Sequence, residues 1–204
     1  MASNDQYITI EQAAEGTFRD KGSRFHGYAY PIDSEGEIKD ILANLRASHP
    51  KARHFCWAYR LGADKSNFRV NDDGEPAGSA GRPILNTILS AGLTNVFVIV
   101  VRYFGGTLLG VPGLINAYKT TTSEALNNCN IIERTVNDVF QISFSYNNLN
   151  SVMKIIKEER LKILDQRFDT ESELTLEVPQ SRVPEMLSRL TDITGLTSLY
   201  LKTK

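Results

Sequence analysis

The sequence lacks the features of secreted and membrane proteins. It has two cysteines, Cys56 and Cys129, which can form one disulfide at most, and we expect both to be buried thiols in a reducing compartment. Its longest apolar run, residues 96–101, is far shorter than the roughly 20 residues of a membrane helix. The polar start, residues 1–5, lacks the apolar core of a signal peptide. We therefore expect a cytoplasmic protein with no membrane partner.

The sequence also lacks an excess of either charge. It has 23 basic and 24 acidic residues and a formal net charge of −1, which excludes a protein-wide basic field that would attract nucleic acid. Any site for a polyanion must therefore be a local patch. Hydrophobic residues at 41% and charged residues at 23% are typical of a packed globular chain and exclude a disordered one.

Motifs for metals, nucleotides and serine hydrolases are missing. No C-x-x-C motif for zinc is present. His54 and Cys56 alternate along a predicted strand and could be two zinc ligands, but only Cys129, His26 and His49 remain as further cysteine or histidine ligands. Neither nucleotide-binding glycine motif occurs, nor does G-x-S-x-G. We expect no metal site and no cofactor.

Two α+β domains are predicted, residues 1–135 and 136–204, because a chain of this length can form two modest cores. The second domain shows alternating strand patterns and helical spacing in the order strand, helix, strand, strand, helix, strand. That order is the βαββαβ arrangement of ferredoxin-like domains. The predicted strands are 136–146, 162–168, 173–178 and 196–202, and the helices are 149–160 and 181–195.

The first domain is less regular. Its predicted strands are 7–10, 24–30, 53–61, 68–70 and 96–101, and its predicted helices are 34–50, 83–92 and 114–126. The continuous apolar run at 96–101 is typical of a strand buried on both faces.

A glycine-rich loop, residues 102–113, connects this buried strand to a helix. Free backbone N–H groups and the helix dipole at such a place can hold a phosphate or carboxylate, and Pro112 removes one of the donors. The alternative is that Gly105 and Gly106 only permit unusual backbone angles or close packing.

An acidic loop places Asp72, Asp73 and Glu75 within four positions. Such carboxylates can bind a hard cation or orient basic side chains, and the alternative is a polar turn whose side chains bond the local backbone. We predict that this loop docks on the loop of Arg102, its obvious charge partner.

Three arginines stand at ends of predicted strands, each near an aromatic residue. They are Arg24, Arg53 and Arg102, near Phe25, Phe55 and Tyr103. Guanidinium groups among exposed rings are typical of surfaces that bind single-stranded nucleic acid, although aromatic residues in strands usually belong to the core. The candidate nucleic-acid or anion-binding residues are Arg24, Arg53, His54, Arg102, Tyr103, Gly105 and Gly106.

Two long motifs resemble the bacterial, YigZ-like branch of the IMPACT family. They are DDGEPAGSAGRP at residues 72–83 and VVRYFGGTLLG at residues 100–110. The resemblance extends to KGSRF at 21–25, to ARHFC at 52–56 and to the ferredoxin-like second domain, and so covers nearly the whole chain.

The resemblance implies a first domain with a two-layer α/β fold like that of a ribosomal protein, and a second domain similar to one of elongation factor G. It implies RNA or the ribosome as a partner, with a protein partner as a further option. Eukaryotic members regulate translation through partners of the amino-acid-starvation kinase and carry an extra amino-terminal domain, which we expect this chain to lack. Catalysis is not established for the family.

Three functions follow as hypotheses. The first is a nucleic-acid-binding or ribosome-associated accessory protein with a role in translation regulation. The alternative is an enzyme that acts on a small phosphorylated or acidic ligand through residues 72–75 and the loop 102–113. The third is a protein-interaction module whose motif residues are structural. The two site hypotheses require Asp72, Asp73, Arg102 and Gly105 to converge on one cleft.

Overall fold

The computed structural model describes residues 5–169 and 171–204. Residues 1–4 of the polar amino-terminal segment, in which we expect no signal peptide, lie outside the described part. Contacts divide the chain into two compact units. Of the described residues, one unit comprises 7–134, and the other comprises those from 135 to 204 together with Asp5 and Gln6.

The first unit is built on a five-stranded antiparallel sheet in the order β2-β3-β6-β4-β5. Strands β1 and β7 form a separate two-stranded sheet. The elements are β1 (Gln6–Ile10), β2 (Ala14–Asp20), β3 (Ser23–Pro31), α1 (Gly36–Ser48), β4 (His54–Leu61), β5 (Asn67–Asn71), α2 (Gly81–Ser90), β6 (Val96–Tyr103), α3 (Gly110–Asn127) and β7 (Ile131–Thr135).

The central strand β6 is buried on both faces, because its apolar run from Val96 to Val101 has a helix layer on each side. Alternate residues, beginning with Val96, pack into a core with α2 and α3. The others, beginning with Phe97, pack with Ile38 and Leu45 of α1. The predicted two-layer description therefore needs one addition, since α1 forms a third layer that the sequence pattern did not assign to a face.

The second unit has a four-stranded antiparallel sheet in the order β11-β8-β10-β9. Phe140, Ile142 and Phe144 of its central strand β8 form a core with residues of both helices. The α+β class and the ferredoxin-like order are confirmed. The elements are β8 (Asn137–Ser145), α4 (Leu149–Glu158), β9 (Lys162–Arg167), β10 (Glu171–Pro179), α5 (Val183–Thr191) and β11 (Thr197–Thr203).

Strands β2 and β7 are absent from the sequence prediction. Strand β2 pairs with β3 through a two-residue turn, Lys21-Gly22, in which both residues have positive φ, 43° and 81°. Cys56 is buried as predicted, whereas Cys129 is only partly buried. In the described part of the chain, no helix combines the length and the apolar character needed to cross a membrane.

Candidate nucleic-acid interface

The residues singled out in the sequence gather at one end of the five-stranded sheet. There β3 begins, β6 ends and β4 begins, with Arg24 paired to Tyr103 and His54 paired to Arg102. The acidic loop follows β5 and reaches the same end, because Glu75 contacts Arg102. The fold thus brings together residues that are up to about 80 positions apart in the sequence.

Arg102 and Glu75 form a buried ion pair. Nη1 of Arg102 lies 2.6 Å from Oε1 of Glu75, and the two side chains are 5% and 4% exposed. The second amino group, Nη2, is 3.4 Å from Oγ of Ser23, while Nε has no hydrogen-bond partner among the described residues. Arg102 is therefore not an exposed phosphate contact, which corrects its place in the predicted surface. The physical reason is that the acidic loop covers its guanidinium.

A buried tyrosine and a cysteine complete this cluster. The Tyr118 hydroxyl donates to Oε1 of Glu75 at 2.8 Å and accepts from Sγ of Cys56 at 3.3 Å. Burial is the main cause that raises the pKa of both the Cys56 thiol and the Tyr118 phenol. Both groups are therefore neutral and act here as hydrogen-bonding partners. Tyr118 could not be recognised as part of this cluster from the sequence, because it lies in the middle of an amphipathic helix and looks like an ordinary core residue.

The Asp72 carboxylate binds the start of helix α2. It accepts hydrogen bonds from the backbone N–H groups of Gly78, Ala80 and Gly81 at 2.9, 3.0 and 2.8 Å. Backbone N–H groups at a helix start have no partner within the helix, and a carboxylate there also suits the helix dipole. The carboxylate oxygens of Asp72 therefore stabilise the fold by accepting backbone hydrogen bonds, and we do not count Asp72 among the ligand-binding residues.

Asp73 binds a different set of partners. Its carboxylate accepts from the backbone N–H of Phe55 at 2.7 Å and lies 3.2 Å from the guanidinium of Arg46. Its carbonyl oxygen is 3.0 Å from Nδ1 of His54, which gives His54 a structural contact. The described residues include no group of three or more His, Cys, Asp or Glu side chains arranged to hold a metal ion.

The two glycines of the loop after β6 have different roles. A Cβ on Gly105 would lie 2.0 Å from the backbone carbon of Gly22, and its N–H donates to Oγ of Ser23 at 3.1 Å. Gly106 has φ of 87° and open space around it. Close packing of Gly105 against the β2–β3 turn is therefore one function of this loop.

Three arginines and one tyrosine form a row across four strands on the α1 face of the sheet, which we call the arginine row. Arg19 of β2 pairs with Arg24 of β3, and Arg24 pairs with Tyr103 of β6. His54 of β4 pairs with Arg102 of β6. In this antiparallel register the preceding residue, Arg53, lies opposite Tyr103. Directly opposed residues in antiparallel strands point to the same face. All three arginines are exposed.

The charges of the row act on the neighbouring histidine. The pKa of His26, one row further along β3, is lowered first by burial and then by the nearby charges of His49, Arg24 and Arg19, against an opposite effect of Glu15. The Arg24 guanidinium lies 5.2 Å from the centre of the Tyr103 ring, and the hydroxyl of Tyr103 is bonded to Nδ1 of His49 at 2.8 Å. Arg19 was missed in the sequence because β2 was missed.

Comparison with known proteins gives consistent matches. Residues 21–126 match the model of the Impact N-terminal domain. An IMPACT family member from Haemophilus influenzae is 31% identical over 189 residues, which cover 92% of this chain and 92% of that protein. The IMPACT family member YigZ from Escherichia coli is 32% identical over 174 residues, which cover 84% of this chain and 85% of YigZ. A crystal structure of a hypothetical protein has a TM-score of 0.71 and 29% identity, and covers 97% of this chain and 98% of that one.

Proposed function

The chain belongs to the IMPACT family, and from this premise we propose that it is an RNA-binding accessory protein with a role in translation regulation. The arginine row is its contact with single-stranded RNA. The family resemblance supports the link to translation, and the row supports the contact with RNA. Of the arginines named from the sequence, Arg24 and Arg53 belong to this surface, and Arg19 replaces Arg102.

The observation that carries the proposal is the alignment of like charges. Arg19 stands directly opposite Arg24, and like charges at opposed positions of a sheet are destabilising. No carboxylate occupies a position of the row. An RNA backbone would supply the missing negative charge across a row that spans four strands, or about 14 Å at about 4.8 Å per strand.

A base can pack beside this backbone contact. Arg24 lies over the ring of Tyr103, and RNA bases stack on both aromatic rings and guanidinium planes. The bond from the Tyr103 hydroxyl to His49 holds the ring in place, so that little side-chain freedom is lost on binding. Each stacked base contributes about 1–3 kcal/mol in comparable single-strand sites.

The expected binding is weak and only mildly sensitive to salt. Three arginines neutralise about three phosphates, which gives a slope of log K against log salt of about −2 at roughly 0.7 for each phosphate. The slope therefore reports the number of cations that contact the backbone. A protein-wide attraction would give a steeper dependence than this.

The test is fluorescence anisotropy with a labelled single-stranded RNA. We expect the variants Arg19→Gln, Arg24→Gln and Arg53→Gln each to weaken binding and to reduce the magnitude of the slope by about 0.7. Arg134→Gln, which changes an exposed arginine of β7, is the matched control and should bind as the wild type does. Equal affinities for the wild type and the triple variant would refute the proposal.

A further inference from the structure

A groove between helices α2 and α3 is not used by the proposed RNA contact. Its volume is about 520 Å³, within the range of about 300–1,000 Å³ that is typical of small-molecule sites. The groove lies on the α2 and α3 side of the five-stranded sheet, whereas the side chains of the arginine row belong to the α1 face. The two features therefore lie on opposite faces of the same sheet.

The charge of the groove is one-sided. Arg82 of α2 and Lys119 of α3 both line it, and none of its nine lining residues is acidic. Both side chains are exposed. Two cations from different helices that face one groove favour an anion, and an arginine fork matches the oxygens of a phosphate especially well.

The rest of the lining combines apolar surface with hydroxyl and amide groups. Ile115, which is 40% exposed, provides apolar surface, whereas Pro83 is buried. The hydroxyls of Thr87 and Ser90 donate to the carbonyl oxygens of Pro83 and Asn86 at 2.9 and 2.8 Å. Because their hydrogens are already used, these hydroxyls offer only lone pairs to a ligand. An exocyclic amino group, as in adenine or cytosine, is the donor that would complement them.

We propose that the groove between α2 and α3 binds a nucleoside 5′-phosphate. Arg82 and Lys119 hold the phosphate, Ile115 contacts the base, and the hydroxyls of the α2 wall accept from its amino group. The nucleotide is either free or the phosphorylated 5′ end of an RNA, since both present the same chemistry.

The experiment is calorimetric titration of the full chain with adenosine 5′-monophosphate. Removal of one charge-assisted hydrogen bond weakens binding by about tenfold or more, so we expect that loss for Arg82→Gln and for Lys119→Gln. Adenosine, which has no phosphate, should bind the wild type about tenfold or more weakly than adenosine 5′-monophosphate does. Lys39→Gln on α1, outside the groove, and Arg24→Gln in the arginine row should bind the nucleotide as the wild type does.

Two further titrations complete the test. Inorganic phosphate that binds as tightly as the nucleotide would overturn the base contact, and a loss in Arg24→Gln without a loss in Arg82→Gln would place the ligand on the arginine row instead. Absence of binding in the wild type would overturn the proposal altogether. Single-stranded RNA with a 5′-phosphate is compared with the same RNA ending in a 5′-hydroxyl. Tighter binding of the phosphorylated RNA than of the hydroxyl-ended RNA, with the difference lost in Arg82→Gln, identifies an RNA end as the ligand, and equal binding of the two RNAs identifies a free nucleotide.

Discussion

Removal of the negative charge of Glu75 should strongly destabilise the first unit. In Glu75→Gln the side-chain oxygen can still accept from the Tyr118 hydroxyl, a bond that is 2.8 Å long in the structure. What is lost is the counter-charge of Arg102, whose Nε already has no partner among the described residues. The variant therefore isolates the cost of leaving a buried guanidinium without an ion partner.

The expected size of this effect follows from burial. Both side chains of the pair are at most 5% exposed, and loss of one partner of such a pair costs about 3–5 kcal/mol. The exposed pair of Arg46 and Asp73, with side chains 52% and 26% exposed, gives the matched comparison. Arg46→Gln should cost less than about 1 kcal/mol.

The assay is equilibrium unfolding in urea, followed by the fluorescence of Trp57. This residue is the only tryptophan of the chain and lies in β4 of the same unit. The double variant Glu75→Gln with Arg102→Met should be more stable than Glu75→Gln alone, because it removes the unpaired charge. Two results would refute the reasoning. One is a loss of unfolding free energy in Glu75→Gln no larger than that in Arg46→Gln. The other is strict additivity of the stability effects of Glu75→Gln and Arg102→Met in the double variant.

Two other predictions concern the same sheet. Gly105→Ala should lower the free energy of unfolding more than Gly106→Ala does, because the new Cβ would lie 2.0 Å from the backbone of Gly22. An alanine at Gly106, where φ is 87°, should cost only about 1–2 kcal/mol of backbone strain. Equal losses of unfolding free energy in urea would contradict the packing argument. Burial first, and then Glu15, raises the pKa of Tyr28 from 10.0 to about 12. Since the neutral phenol is favoured in the fold, the stability it contributes is present below pH 10.0 and is lost as the pH rises towards about 12. The phenolate absorbance of the wild type should contain this late titration, and Tyr28→Phe should reduce its amplitude by the share of one phenol, since the pKa values of Tyr30, Tyr59 and Tyr118 are raised as well.

Elements with a strong hydrophobic period were predictable from the sequence. The apolar run of β6 predicted a strand buried on both faces, and the alternation in β8 predicted the half-buried strand of the ferredoxin-like unit. Strand β2 was not predictable in this way, because Phe18 is its only large apolar residue and the strand also contains a glycine and three charged residues. The available signal was Lys21-Gly22, since a two-residue turn with glycine second suits a hairpin whose residues both need positive φ.

The partners of the acidic loop could not be predicted from spacing. Asp72, Asp73 and Glu75 are chemically similar and close in sequence, yet each binds a different part of the fold: the start of α2, the start of β4 and the end of β6. Which carboxylate meets Arg102 depends on the path of the loop, and Gly74, with φ of 86°, turns that path. The cluster was therefore predictable as a set, whereas the role of each carboxylate was not.

The neutral composition of the chain does not exclude the arginine row, because charges are screened over short distances. The Debye length is about 8 Å at physiological ionic strength. Glu15 lies on the same face of β2 but four residues from Arg19, or about 13 Å along the strand. The acidic loop is neutralised elsewhere, since Glu75 pairs with Arg102 and Asp73 with Arg46. The net charge of −1 thus includes carboxylates, those of Glu75 and Asp73 among them, that are already paired with other cations.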